Sequence, residues 1–220
     1  MGLYRTKLIV SSLLGHPKRY LHEHSLIVLS SISTEKGNRL ISDHSVIRKS
    51  KVSITGNNNL LNVGQADVFN SSITITGSDN RIRIHDGVRI YNMNIIIKKA
   101  QGSYIEIGAS THLGGGTLVC AGNDNCIQIG ESCMIAEDVD IWSSDTHVIT
   151  IQGKDMPNSF PIIIGNHVWL GKGVTVLKGV TIGDNAIVGM KSVVTHDLRA
   201  CTINAGVPAK ELQENADWHK

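Results

Sequence analysis

The chain has 220 residues, 41% of them hydrophobic, which fits one or two folded domains and excludes an intrinsically disordered protein. A formal net charge of +2 with no run of five or six like charges excludes the electrostatic footprint of a nucleic-acid binder. Aromatics are only 4% against 22 glycines, a balance suited to an Ile, Val and Leu core between tight turns rather than a bundle of bulky helices.

In chain order, residues 1–50 show no short repeat and read as an N-terminal extension. LYRTKLIVSSLLGH at 3–16 predicts a helix ended by Gly15 and Pro17. Its apolar stretch, Leu8 to Leu14, is too short to span a bilayer, and no small-residue cleavage site follows it. No transmembrane segment is therefore expected, and the protein reads as cytoplasmic. SLIVLSSIS at 25–33 reads as an added strand or as a first, irregular coil.

From about residue 51 the chain repeats. GNNNLLNVG, GSDNRIRIH, QGSYIEIG and GNDNCIQIG each join an Asn/Gly/Ser turn to a short alternating strand, with final aliphatic residues at Val63, Ile84, Ile107 and Ile129. From Ile164 the hexads IGNHVW, LGKGVT, VLKGVT, IGDNAI, VGMKSV and VTHDLR follow. Each opens on an aliphatic residue and carries a small or apolar fifth residue: Val168, Val174, Val180, Ala186, Ser192 and Leu198. Both periods fit one all-β architecture, a parallel β-helix of triangular coils over 51–206. Its coils hold about 18 residues where built of hexads and about 22 where a corner carries a longer turn, stacked roughly 4.8 Å apart. The last segment, 207–220, opens with Pro208 and predicts a short capping helix.

One interruption stands out. Ile129, Ile135 and Ile141 keep the hexad interval, but the next position is His147, and the pattern then fails until Ile164. Gly153, Pro157 and Pro161 predict a loop at about 149–161. An unpaired imidazole in an aliphatic ladder is costly, so a one-residue slip is expected, with Val148 inward and His147 on the outer surface. Trp169, next to inward Val168, is expected to face outward, at a subunit interface or a cleft wall. Cys120, Cys126, Cys133 and Cys201 lack CxxC spacing and read as small buried hydrophobes in a reducing compartment.

PIIIGNHVWLGKGVTVLKGVTIGDNAIVGMKSVVTHD followed by AGVPAKEL resembles the C-terminal half of the hexapeptide-repeat acyltransferases. The DTH at Asp145 to His147, Trp169, and the G-x-x-N-x-I-x-I turns are most similar to the branch that O-acetylates bacterial surface polysaccharides and sialic acids. The resemblance covers roughly residues 52–213. It implies a left-handed β-helix, a homotrimer with active sites between subunits, and acetyl-CoA as cosubstrate with no metal. The implied reaction is acetyl transfer to a hydroxyl of a capsular, lipopolysaccharide or sialic acid-containing glycan in a ternary complex. His147 matches the family's catalytic base and Trp169 its cleft wall, while Asp145 serves either to fix the imidazole tautomer or as a turn residue. The positions matching the CoA contacts are Lys172, Met190, Thr195, His196 and Lys210. His196 stands where a lysine is common and Gln213 where a second basic residue is common, leaving Lys191 or Arg199 to supply charge. N-acetylation of an amino sugar is the near alternative. Two other classes are an inactive scaffold and a zinc hydratase resembling the trimeric carbonic anhydrases, with His112, His147 and His167 as its ligands.

Overall fold

The computed structural model describes residues 20–219, so the helix expected at 3–16 lies outside the described residues. Every regular element among the described residues is a strand. The strands form three faces of a prism. The first runs from Tyr20–Glu23 to Thr181–Ile182, the second from Leu26–Val28 to Ala209–Glu214, and the third from Ser31–Thr34 to Val193–Val194. Successive strands on a face come from successive coils and pair in parallel, apart from the antiparallel pair that ends the second face. The all-β parallel helix expected from the repeats is the observed fold.

Register explains the repeats. Val63, Ile84, Ile107, Ile129, Ile164 and Ile182 stack directly on one another on the first face, and all are buried. Ile47, Val68, Ile90, Leu113, Ile135, Leu170 and Val188 do the same on the second. Ile73, Ile95, Leu118, Ile141, Val176 and Val194 stack on the third. Alternate strand residues face inward, and each fully buried aliphatic side chain contributes roughly 1.5–3 kcal/mol. The fifth hexad residues Val168, Val174, Val180, Ala186 and Ser192 are also buried, closing the corners.

The corner between the third and first faces carries a polar ladder inside the apolar one. Asn38 Oδ1 accepts the Asn59 N–H at 3.0 Å, Asn59 Oδ1 accepts the Asn80 N–H at 3.0 Å, and Asn80 Oδ1 accepts the Ser103 N–H at 3.0 Å. Ser103 Oγ then accepts the Asn125 N–H at 3.1 Å, and Asn125 Nδ2 donates to Ser143 Oγ at 3.0 Å. The first four rungs each satisfy a backbone N–H that a sharp turn would leave unpaired, and the last joins two buried side chains. Gly56 and Gly77 flank these rungs at φ +96° and +115°, and a Cβ on either would lie 1.9 Å from the carbonyl oxygen one coil above. Only glycine fits there.

Three expectations are corrected. Coils already run through residues 20–50, so the boundary expected at 51 lies inside the solenoid, and Leu26–Val28 and Ser31–Thr34 are regular strands of a coil. The hexad pattern misses them because short polar residues occupy their corners: Ser25, Ser45, Ser30 and Ser50 bond from coil to coil there. The C-terminal helix is not formed. Ala209–Glu214 instead turns back as a strand on Thr202–Gly206, because the last parallel strand offers unpaired backbone and pairing satisfies it. Finally, Val148 does not take the inward slot; it is 59% exposed. The coil does not slip by one residue but leaves the prism altogether at this corner.

Candidate active site

The excursion begins where the polar ladder ends. Ser143 is buried and holds Asn125, and Ser144 is buried beside it. The next first-face strand is Ile162–Ile164, so partners that lie 18 residues apart in a hexad coil lie 35 apart across this one. The two arms of the insertion meet at a neck. Ser144 bridges Ser159, the Asp145 N–H donates to the Asn158 carbonyl at 2.8 Å, and the Phe160 N–H donates to the Ser143 carbonyl at 3.0 Å. Beyond the neck, Ile149–Ile151 and Lys154–Met156 form an antiparallel hairpin, which is the protrusion expected at 149–161.

His147 lies between neck and hairpin and is exposed. Thr146, at φ +62° with its N–H on Ser144 Oγ at 3.0 Å, turns the chain there. Asp145 does not reach the imidazole. Its carboxylate accepts a hydrogen bond from the Lys178 ammonium, which projects from the corner of the next coil. Lys178 was not singled out in the sequence; it is the third residue of an ordinary hexad, and nothing local marks it.

Trp169 opens a second-face strand with its ring outward and 40% exposed, as expected. Its neighbour is unexpected. The C-terminal tail folds back so that Trp218, only 7% exposed, stacks on His167 at 4.3 Å and 7° and tilts against Trp169 at 6.0 Å. The Trp218 indole N–H donates to the His167 carbonyl at 2.7 Å, and His167 Nε2 lies 3.0 Å from the Trp218 carbonyl. A tryptophan in a charged tail was the one available signal for this contact.

The residues matched to CoA contacts divide between two edges of the prism. Lys172 and Met190 lie on successive coils at the edge after the second face, where the Lys191 N–H bonds the Lys172 carbonyl at 2.9 Å. Lys210 pairs in register with Ala205 on the last antiparallel pair. Met190 is 66% exposed. Lys172 is engaged by Glu137 at 2.8 Å and Asp138 at 3.4 Å, and these carboxylates raise its pKa. Thr195 and His196, hydrogen-bonded to each other at 2.7 Å, lie instead at the edge after the third face, above Lys178 and the neck. Arg199 is held by Glu211 and Glu214, and the Lys191 chain lies across Gly173. Within one chain, His147, Asp145, Thr195 and His196 therefore sit on one edge, while Trp169, Lys172, Met190 and Lys210 sit on the second face and its trailing edge.

Cys120, Cys126 and Cys133 are buried and Cys201 half-buried, all as free thiols. His112, His147 and His167 do not converge within the chain, and His167 is committed to Trp218. Among the described residues, three metal-capable donors approach within 4.8 Å of one another only at exposed His24, Asp43 and His44.

The chain resembles known proteins in both sequence and fold. Residues 161–196 match the bacterial transferase hexapeptide (six repeats) family. The chain is 34% identical over 142 residues to a polysialic acid O-acetyltransferase of Neisseria meningitidis, covering 63% of this chain and 65% of that one. It is 35% identical over 126 residues to a galactoside O-acetyltransferase of Escherichia coli, covering 53% and 60%. The matched stretches thus span just under two thirds of these relatives. In three dimensions it is similar to the polySia-specific acetyltransferase NeuO, with a TM-score of 0.79 at 30% identity over 88% of this chain and 83% of that one. The polysialic acid O-acetyltransferase OatWY superposes with a TM-score of 0.72 at 28% identity over 91% of each.

Proposed function

The chain belongs to the hexapeptide-repeat acyltransferases, whose left-handed β-helix it shares, and from that premise we propose that it transfers acetyl from acetyl-CoA to a hydroxyl of a sialic acid-containing surface glycan. The observation that carries the reading is the match to the two polysialic acid O-acetyltransferase structures along nearly the whole described prism. His147, the exposed imidazole at the break in the coils, is the general base. In a ternary complex its neutral ring takes the proton of the sugar hydroxyl as that oxygen attacks the thioester carbonyl. The tetrahedral oxyanion collapses, the C–S bond breaks, and the imidazolium returns the proton to the departing CoA thiolate. The products are the acetyl ester and free CoA. Trp169 walls the cleft, and its indole N–H is a donor available to the oxyanion or the acceptor.

The active form is a homotrimer with sites between subunits. Its support is the division of the candidate residues between two edges of one prism: only apposition of copies brings the His147 edge to the Trp169 and Lys172 side. Lys172, Met190, Thr195, His196 and Lys210 hold CoA. For Lys172 this requires the nucleotide phosphates to compete with Glu137 and Asp138. No helix among the described residues is long and apolar enough to cross a membrane; we place the reaction in the cytoplasm, with its acetyl donor.

The test is thiol release from acetyl-CoA with sialylated and neutral oligosaccharides, alongside His147→Ala. The reading predicts release that depends on a sialylated acceptor and falls on the order of 100-fold or more in the folded variant. Activity in His147→Ala equal to the parent would remove His147 as the base.

A further inference from the structure

The backbone of the insertion that carries His147 is paired at the neck before it and in the hairpin beyond it, and the segment between them, which holds His147, lies outside both. A single side chain from the following coil gathers both arms. Lys178 projects from the corner after Thr175–Val176. Its ammonium donates to the Asp145 carboxylate on the outgoing arm and to the Pro157 carbonyl at 3.3 Å on the returning arm. It also sits 5.6 Å from the centre of the Phe160 ring on that same arm. The Lys178 and Asp145 side chains are 23% and 31% exposed, so the pair is partly withdrawn from water and stronger than a fully solvated one. Asp145 stands two residues before His147, joined through Thr146, whose left-handed conformation sets the direction of the chain.

We infer that Lys178 is a positioning residue for His147: it pins the loop at Asp145, Pro157 and Phe160, so that Asp145 serves as the anchor point of the catalytic loop rather than as the partner of the imidazole. This rests on the reading of His147 as the base. Proton abstraction needs the imidazole within hydrogen-bond reach of the hydroxyl, and a displacement of about 1 Å costs as much as 100-fold in rate. A cationic pin on the neck acts on that distance without touching substrate.

The experiment is steady-state kinetics of the full-length protein carrying Lys178→Met, Lys178→Arg, Asp145→Asn and the Lys178→Met/Asp145→Asn double substitution. The expected result is a roughly 10- to 100-fold fall in kcat for Lys178→Met with KM for acetyl-CoA unchanged. Lys178→Arg, which keeps the charge, the donors and the ring contact, should restore most of it. Because the pair acts as one unit, the double variant should be no slower than the worse single variant. Trypsin should also cut Lys178→Met faster in the hairpin at Lys154, and this readout holds even if His147→Ala shows that His147 is not the base. A folded Lys178→Met with parental kcat and parental proteolysis overturns the inference. So does an Asp145→Asn loss far larger than that of Lys178→Met with a displaced pH–rate profile, which would return Asp145 to the imidazole.

Discussion

Cys120 shows how a residue that does no chemistry still sets a property of the protein. It is fully buried on the third face, and burial pushes its thiol up from 9.0 to about 12 against a smaller opposing hydrogen bond with Ser143. Burial raises the Cys133 thiol as well. Below pH 9 both folded and unfolded chains hold these protons, so neither thiol makes stability depend on pH. Above it the unfolded chain releases protons that the folded chain keeps, and stability must fall with rising pH. Thermal melting should therefore be flat to about pH 9 and then decline toward pH 12, with a shallower decline in Cys120→Val. An identical alkaline decline in that variant would place the effect on Cys133 or on Tyr104, whose phenol is raised to about 12, chiefly through its hydrogen bond with Cys126.

At the scale of the element, the corners decide whether coils stack. Asn80 is wholly buried, accepting the Ser103 N–H at 3.0 Å and donating to the Ala100 carbonyl at 2.7 Å. Asn80→Ala leaves both buried groups without those partners, at about 1–3 kcal/mol each. Denaturant unfolding should show a loss of at least about 2 kcal/mol with the slope unchanged. The C-terminal tail is the opposite kind of element, docked by the stack of Trp218 on His167, by the Asp217 carboxylate 3.4 Å from the same imidazole and by the Ala216 N–H on the Cys201 carbonyl at 2.9 Å. Deleting residues 215–220 should leave the far-ultraviolet spectrum intact while changing the near-ultraviolet signal of the Trp169–Trp218 pair and opening Trp169 to aqueous quenchers. Unaltered Trp169 quenching would mean the tail does not cover it in solution.

For the whole molecule, a prism of stacked coils has only nearest-neighbour contacts along its axis, so its flat sides are what it offers to other copies. Val148, Ile149, Ile151 and Met156 on the hairpin are all at least 40% exposed, an apolar projection beyond the side of a single prism. The trimeric reading predicts a light-scattering mass three times that of the protomer. Substituting Ile149 and Ile151 with lysine should lower activity more than the stability of each prism. A fully active monomer would contradict the shared-site arrangement.

The sequence by itself determined the coil. Aliphatic residues at every sixth position, and the Asn/Gly turns before Val63, Ile84, Ile107 and Ile129, specify a stacked parallel helix because inward burial is a local, periodic requirement. The same regularity exposed the break at His147, since a strict pattern makes its own failure visible. What the sequence left open are contacts between residues far apart in the chain that obey no period. Lys178 with Asp145, Trp218 with His167, and the strand at Ala209–Glu214 in place of a helix are of this kind. So is the early start of the coils, hidden because serine hydroxyls rather than aliphatic side chains close the corners before residue 51. Only the folded prism decides these, because stacking brings a side chain one coil away, or a tail some fifty residues away, within reach of a hydrogen bond.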